Sequence, residues 1–166
     1  ENTLADQALS SALIGKKNLK IYSFVNRGSD ERQYCAPKID LPYCSFSKSK
    51  EYPEYHTDKD NFKVVTAKGL YGGFLIAKTA IENLLKMSFN DCIKEKRKIS
   101  EYNPRYRYLC EPNLGRRGLY SLLGLRNQDF QSQKFLDFLQ YSDGSNNLDE
   151  ISKLIKVSLI KTKKIY

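Results

Sequence analysis

A polar stretch from Gly28 to Asn61, rich in turn-forming residues, most limits what this chain can fold into, because it separates two apolar segments. It contains the only histidine, His56, together with three of the five prolines and two of the four cysteines. Stretches of this composition lie at protein surfaces and often carry binding or catalytic side chains. We therefore expect the flanking elements to position a surface loop region that contains His56.

The apolar residues that flank this stretch predict a helix and two strands. Spacing typical of one helix face predicts a helix over residues 3–14, capped by Thr3 and ended by Gly15. Alternating apolar and polar residues predict a strand over 19–25, and a short second strand is predicted over 41–46. A helix joined to a strand by a short loop is typical of an α/β fold.

A long helix is predicted from about Val64 to Ser88, where apolar residues recur at helical spacing on one side. Two adjacent glycines, Gly72 and Gly73, each cost about 1 kcal/mol in a helix interior. The sequence therefore predicts that another element packs closely against this part of the helix.

The C-terminal part of the chain has a different organisation. Residues 91–104 are polar and charged, which predicts a helix tail and a linker. Helices are predicted at about 129–141 and 147–156, and a third begins at Leu159 after a short turn. This succession of helices and turns is the outline of a helix-turn-helix domain.

The charge of the chain favours anionic partners, because 28 basic residues outnumber 19 acidic ones and give a net charge of +9. Lys161, Lys163 and Lys164 lie on the last predicted helix, where a DNA-reading protein has its contacts. A lysine-biased composition explains the same charge, and the lysines of a small packed bundle would simply face solvent. The last helix has no Arg, Asn or Gln to read base edges, so both interpretations stay open.

Cysteine usage and hydropathy predict a cytoplasmic protein without a membrane span. Cys35, Cys44, Cys92 and Cys110 show no C-x-x-C pair, which predicts reduced thiols, with a Cys35–Cys44 disulfide as the alternative. No apolar run approaches the roughly 20 residues of a membrane helix, and the first residues are unlike a secretory leader. The start at Glu1 without methionine predicts a piece of a longer protein.

Three roles are open to His56: metal ligand, general base or ordinary surface residue. Carboxylates occur in both loops that flank the predicted second strand: Asp30, Glu31, Glu54, Asp58 and Asp60. If both loops open at one sheet edge, these carboxylates converge on the imidazole, a combination that suits zinc. A hydrolytic zinc centre needs three protein ligands and an open water position, which this chain alone does not offer.

Several motifs around this stretch resemble a bacterial family of zinc aminopeptidase-like proteins. They are Gly28–Cys35, Leu41-Pro42, Glu51–Thr57 and Asp60-Asn61. The family is a branch of the M28-type exopeptidases, of the DUF4910 type, often associated with polysaccharide biosynthesis. Two later segments, Cys110–Tyr120 and Tyr141–Gly144, resemble the winged helix-turn-helix domain that closes the same proteins.

The resemblance implies an α/β fold in two parts. Residues 1–98 would be the C-terminal fragment of a phosphorylase/hydrolase-like aminopeptidase sandwich. Residues 99–166 would form a small α-rich winged helix-turn-helix domain.

The resemblance also implies a site with two zinc ions, of which only the last ligand, His56, maps onto this chain. The other ligands and the catalytic base would lie upstream of Glu1, so we expect no catalytic residue within the chain and no activity from it alone. The implied reaction is metal-assisted hydrolysis of an N-terminal peptide bond, with a peptide or amino-terminal amide as the substrate.

Further residues are expected to support the ligands or line the substrate pocket: Asp30, Glu31, Arg32, Tyr55 and Asp60. Glu31 stands where many relatives have histidine, so contacts made there differ in this chain.

Overall fold

The computed structural model describes residues 3–26, 28–47, 52–87, 98–117 and 130–166. The α-helices in these ranges are α1 (Leu4–Ala12), α2 (Glu31–Tyr34), α3 (Ala67–Lys86), α4 (Phe130–Gln140), α5 (Leu148–Leu154) and α6 (Leu159–Ile165). Short 3₁₀ turns occur at Phe24–Asn26 and Gly115–Arg117.

The chain divides into two compact units, each built from two separate segments. Unit 1 takes its residues from Glu1–Ile21 and Pro42–Lys94, and unit 2 from Tyr22–Leu41 and Glu95–Tyr166. The segment 22–41 therefore belongs with the C-terminal helices, although it lies in the first third of the sequence. The domain boundary at residues 98 and 99 stays a prediction.

The first helix of unit 1 begins at the predicted cap. The Thr3 hydroxyl accepts a hydrogen bond from the Asp6 amide at 3.2 Å, and the Asp6 carboxylate accepts one from the Thr3 amide at 2.8 Å. This reciprocal capping box satisfies amide groups that the helix leaves unpaired. Gly15 follows the helix with a φ of 78°, a conformation that glycine adopts without strain. The helix predicted over residues 3–14 is confirmed as α1.

The packing of α1 against α3 forms the interior of unit 1. Ala8 and Ala12 are buried, and the Asn83 side-chain amide donates to the Ser11 hydroxyl at 2.9 Å. Close packing at Gly72 and Gly73 was a wrong prediction, because a Cβ atom at either position would meet no atom of the described residues within 4 Å.

The predicted long helix is confirmed as α3, but its predicted apolar side is exposed. Its N-cap, Thr66, accepts a hydrogen bond from the Gly69 amide at 3.1 Å. Large apolar side chains project into solvent along one side, which we call the apolar face of α3: Leu70, Tyr71, Phe74, Ile81 and Leu85. Of these, Leu85 is 80% exposed.

The predicted α/β sandwich is wrong, because the described residues contain no strand and no sheet. The only strand-like pairing there is an isolated antiparallel bridge between Arg105 and Asp143. In the first predicted strand Ile21 is 93% exposed, and Phe24–Asn26 turns into a 3₁₀ helix. Alternation marks an apolar side, but a strand also needs a neighbouring strand for its N–H and C=O groups.

Three helices and a segment from the first third of the chain build the core of unit 2. Phe138, Tyr141, Ile151 and Ile155 form its buried centre. Phe24, Val25, Leu139, Leu148, Val157 and Ile165 pack against it. The helices predicted at about 129–141, at 147–156 and from Leu159 are confirmed as α4, α5 and α6, in helix-turn-helix order.

Hydrogen bonds at the helix ends define the limits of these three helices. Asn147 accepts from the Asp149 and Glu150 amides at 2.9 and 3.0 Å, which caps the start of α5. The Lys134 ammonium of α4 donates to the Ile155 carbonyl oxygen at 2.8 Å, at the end of α5. Ser158 then caps α6. Because unpaired groups at helix ends are costly, these bonds define where each helix begins and ends.

A tight turn joins α4 to α5. Gly144 has a φ of 90°, and a Cβ atom there would lie 3.0 Å from the Cγ atom of Arg105. The Gly144 amide donates to the Pro104 carbonyl at 3.0 Å, and the Tyr106 amide donates to the Ser142 carbonyl at 2.7 Å. Both the backbone conformation and the close approach therefore require glycine at this position.

Other predictions concern cysteines, membrane spans and the linker. No disulfide joins Cys35 and Cys44 in the structure, so the alternative is not formed. Among the described ranges, no helix has the length and hydropathy needed to span a bilayer. Cys92, the first half of the predicted linker (residues 91–97) and the segment Gly118–Tyr120 lie outside the described residues.

The core of unit 2 leads to a stability prediction. Ile151 is fully buried, so Ile151→Ala should lower the free energy of unfolding by about 2–5 kcal/mol through lost burial and a cavity. Ile160→Ala on α6 is the control, since Ile160 is 73% exposed and should change stability by less than about 0.5 kcal/mol. Urea unfolding followed by circular dichroism measures both, and equal effects would contradict the assignment of the core.

Candidate functional site

His56 lies in a tight turn of unit 1 that two backbone bonds define. The Tyr55 amide donates to the Tyr52 carbonyl at 3.1 Å, and the Thr57 amide donates to the Glu54 carbonyl at 3.0 Å. His56 has a φ of 61° and is exposed. Non-glycine residues rarely adopt this left-handed conformation, so the turn determines the direction of the imidazole.

Aromatic contacts fix the plane of the imidazole. The His56 ring stacks on the Tyr55 ring with centroids 3.9 Å apart and an angle of 22° between the planes. Tyr55 in turn contacts Tyr52, with centroids 5.5 Å apart and a tilt of 56°. Stacking restricts ring rotation, and the turn therefore presents an oriented and exposed imidazole.

A hydrogen bond closes the loop around this turn. The Tyr52 hydroxyl donates to Oδ2 of Asp60 at 2.9 Å. This hydrogen bond is the main reason that the pKa of Tyr52 is raised above its ordinary value, with smaller contributions from desolvation and from the Asp60 charge. Of the predicted site residues, the structure thus brings Asp60, Tyr55 and His56 into one loop, where Tyr52 joins them.

The other predicted pocket residues belong to unit 2, at α2. Asp30 precedes this short helix and is exposed. Oε1 of Glu31 accepts hydrogen bonds from the Gly28 amide at 2.8 Å and the Ser29 amide at 3.3 Å. Arg32 forms an ion pair with Glu111. The convergence of these residues on His56 stays a prediction.

The described residues do not by themselves form a zinc site. Nowhere in the described ranges do three or more His, Cys, Asp or Glu side chains lie in a group that could hold a metal ion. An exposed imidazole is a suitable single ligand, but a zinc site takes at least three protein ligands. No chemical step through a metal follows from these residues alone.

Two residues that the sequence did not single out hold the loop that carries Asp30. Glu111 pairs with Arg32, and the Gln140 side-chain amide donates to the Cys35 carbonyl at 2.5 Å. Both contacts join residues far apart in the sequence. No local pattern indicates such pairs, so only the folded chain identifies them.

The lysines predicted for nucleic-acid binding lie on α6 and are exposed: Lys161, Lys163 and Lys164. Thr162 is fully buried on the same helix, so α6 packs through one side. On the neighbouring α5, Lys153 pairs with Asp149 at 2.5 Å. The hydrogen bond to Asp149, followed by the attraction of its charge, raises the pKa of Lys153.

An open cavity of about 320 Å³ lies beside α6 in unit 2. Its lining includes Tyr102, Asn103, Asn147, Asp149, Leu159 and Lys163. Lys163 therefore borders a cavity with aromatic, amide and acidic groups. The lining comes from separate chain segments, so no local sequence pattern indicates this cavity.

The hydrogen bond between Tyr52 and Asp60 predicts a pH dependence. The fold favours the protonated phenol, so the bond contributes its full stability below the unfolded pKa, near 10, and loses it as the pH rises through the raised folded value. In Asp60→Ala, the pKa of Tyr52 should fall toward its ordinary value. NMR titration of the ¹³C-labelled tyrosine rings measures this, with Asp58→Ala as the control. An unchanged Tyr52 titration in Asp60→Ala would contradict the hydrogen bond.

Comparison with known proteins identifies two regions in the chain. Residues 1–86 match the family described as a domain of unknown function, DUF4910, and residues 102–166 match the winged helix-turn-helix family. No solved structure matches the chain.

A relative from Clostridium acetobutylicum is 34% identical over 135 residues. Its name describes a polysaccharide biosynthesis protein with an aminopeptidase-like domain. The match covers 80% of this chain but only 28% of the relative, so the chain spans under a third of that protein's length. The first 86 residues make up more than half of the 166-residue chain. The chain therefore belongs to the DUF4910 family and carries a winged helix-turn-helix domain in its C-terminal part.

Proposed function

We propose that this chain is the C-terminal portion of a zinc-dependent aminopeptidase-like hydrolase and contributes His56 as one metal ligand. The observation that carries the proposal is the exposed His56 imidazole, oriented by its stack on Tyr55 at 3.9 Å. Family membership and the name of the Clostridium relative support it. When bound, zinc would supply a Lewis acid that activates water and polarises a peptide carbonyl.

The loop around His56 suits a ligand that must be held before the metal arrives. Holding a side chain in one orientation costs conformational entropy. Local contacts in the folded chain offset this cost before a metal binds. The stack on Tyr55 restricts the ring, and the Tyr52–Asp60 hydrogen bond closes the loop. This chain's own contribution is therefore the orientation of one donor, and the remaining ligands and the base would come from the longer protein.

The apolar face of α3 supports the part of the proposal that concerns a longer protein. Its large side chains form an exposed row, interrupted by the Lys78–Glu82 ion pair at 3.7 Å. Extended apolar patches on a protein surface mark interaction sites. We infer that the remainder of the aminopeptidase-like protein covers this face, because the match accounts for only 28% of the Clostridium relative.

The substrate and location belong to the same proposal. A peptide or amino-terminal amide is the substrate class that the aminopeptidase resemblance implies. The cysteine spacing without a C-x-x-C pair favours a cytoplasmic location.

A zinc titration of the longer protein tests the role of His56. His56→Asn removes the imidazole, and asparagine tolerates the left-handed backbone of the turn. We expect the wild type to bind zinc and His56→Asn to lose one equivalent, or to bind it more than about tenfold more weakly. Isothermal calorimetry with the metal alone measures both quantities.

Lys63→Ala is the control for this titration, because Lys63 is an exposed residue of the same loop region. It should bind zinc as the wild type does. Equal stoichiometry and affinity in the wild type and His56→Asn would remove His56 from the site.

A second candidate function is non-catalytic binding, in which the winged helix-turn-helix domain contacts nucleic acid. Lys161 and Lys164 are exposed on α6, the helix that such domains place against DNA. The net charge of +9 adds a general attraction to phosphate. Because fold does not imply function, a protein is the alternative partner for this domain.

Salt dependence distinguishes phosphate contacts from general charge. The chain should bind duplex DNA with a log–log salt slope of about −0.9 per phosphate contacted, and Lys161→Gln with Lys164→Gln should reduce that slope by about two. The matched control, Lys68→Gln with Lys86→Gln on α3, removes the same charge elsewhere. Fluorescence anisotropy measures the slopes. Binding without salt dependence, or an equal loss in the control, would contradict a role for α6.

A further inference from the structure

The segment 22–41 is built into unit 2 at two places, although it belongs to the DUF4910 part of the sequence. At its beginning, the Phe24 ring meets the Tyr141 ring edge-on, with centroids 6.4 Å apart and an angle of 84°. Val25 packs against the same core. The start of the segment is therefore attached to the residue that follows α4.

Further along the segment, Cys35 is attached to Gln140, the residue before Tyr141. Gln140, which is buried, donates through its side-chain amide to the Cys35 carbonyl at 2.5 Å. Ala36 is fully buried next to it in the sequence. The buried Gln140 amide requires a partner, and the carbonyl of the partly exposed Cys35 accepts its hydrogen bond. This bond holds the chain where it leaves α2. Because Gln140 and Tyr141 are adjacent, both attachments meet at the C-terminal end of α4.

An ion pair provides a third attachment from the middle of the segment. The Arg32 Nε donates to Oε1 of Glu111 at 2.9 Å, and Nη2 contacts the same oxygen. The Glu111 side chain is only 4% exposed. The Arg32 side chain is 28% exposed, so the pair is partly buried. Removing Arg32 would take the ion-pair partner from the largely buried Glu111 carboxylate, so this contact restricts α2 more strongly than a fully exposed ion pair would.

Between these attachments lies the turn that carries Asp30 and Glu31, both expected in the hydrolase pocket. Asp30 and Ser29 are exposed, whereas the backbone beneath them is bonded through Oε1 of Glu31. The polar turn therefore projects from a fixed base that the winged helix-turn-helix unit supplies.

We propose that the winged helix-turn-helix unit acts as the scaffold of this turn, with Glu111 and Gln140 as positioning residues for the pocket of the hydrolase. The pocket role rests on the proposed function, whereas the scaffold role rests on the contacts alone. Loop residues lose conformational entropy when they are fixed, and three attachments to one compact unit provide the compensating contacts. The domain then has a task in the enzyme that requires no nucleic acid.

Hydrogen exchange of the whole chain, followed by mass spectrometry, tests the scaffold. Glu111→Gln and Gln140→Ala should each speed exchange of the amides of residues 29–36 by at least about tenfold. The amides of α5 and α6 should exchange as in the wild type. Lys153→Ala is the control, because it removes an exposed ion pair of the same unit and should leave residues 29–36 unchanged.

Two results would overturn the scaffold. One is unchanged exchange at residues 29–36 in both variants. The other is an equal rise throughout α5 and α6, which shows a general loss of stability. The charge-reversed pair, Arg32→Glu with Glu111→Arg, should restore slow exchange that either single reversal loses.

Peptidase kinetics of the longer protein test the link to the pocket. Glu111→Gln should raise KM by at least about tenfold with a smaller change in kcat, because positioning affects substrate binding first, and Glu111→Asp should restore part of the loss. An unchanged KM alongside faster exchange would overturn the link. A wild type without peptidase activity would refute the proposed function and the pocket role with it, while the exchange result decides the scaffold independently.

Discussion

Unit 2 depends on the contacts at the C-terminal end of α4, because two segments distant in sequence are joined there. Gln140 satisfies the Cys35 carbonyl, and Tyr141 packs against Phe24 within the buried centre. Buried polar groups must find partners, so the segment 22–41 cannot leave this position without removing the partner of the buried Gln140 amide and exposing the aromatic core. The helix-turn-helix unit is therefore incomplete without residues that the sequence places in another family region.

In the described part of the chain, the loop around His56 is held by contacts between residues that are close in the sequence. A turn, a ring stack and one hydrogen bond from Tyr52 to Asp60 arrange it. These contacts lie within a few residues of one another, which explains why the sequence identified the loop correctly as a surface region. The same sequence assigned Asp30, Glu31 and Arg32 to the site, and the structure places them in the other unit, on α2.

The strand predictions were wrong, and the apolar face of α3 is exposed, for the same reason. Periodicity shows which side of an element is apolar, but it does not show what lies against that side. Ile21 belongs to the predicted strand and Leu85 to the apolar side of the predicted long helix, and both are exposed in the structure. In the part of the chain that the structure describes, no strand lies beside the alternating residues 19–25, so these residues join no sheet there. The predicted sandwich is wrong for this reason.

The sequence alone determined the longer helices, since capping and helical periodicity depend on residues three or four positions apart. Thr3 caps α1 as predicted, and Asn147 and Ser158 cap α5 and α6 where those helices were expected to begin. The short helix α2 was not predicted, because it lies in the polar stretch expected to be a loop. Only the tertiary structure decided the division into two units. Arg32 and Glu111 are 79 residues apart, and a contact of that separation leaves no local pattern, because it exists only after the intervening chain has folded.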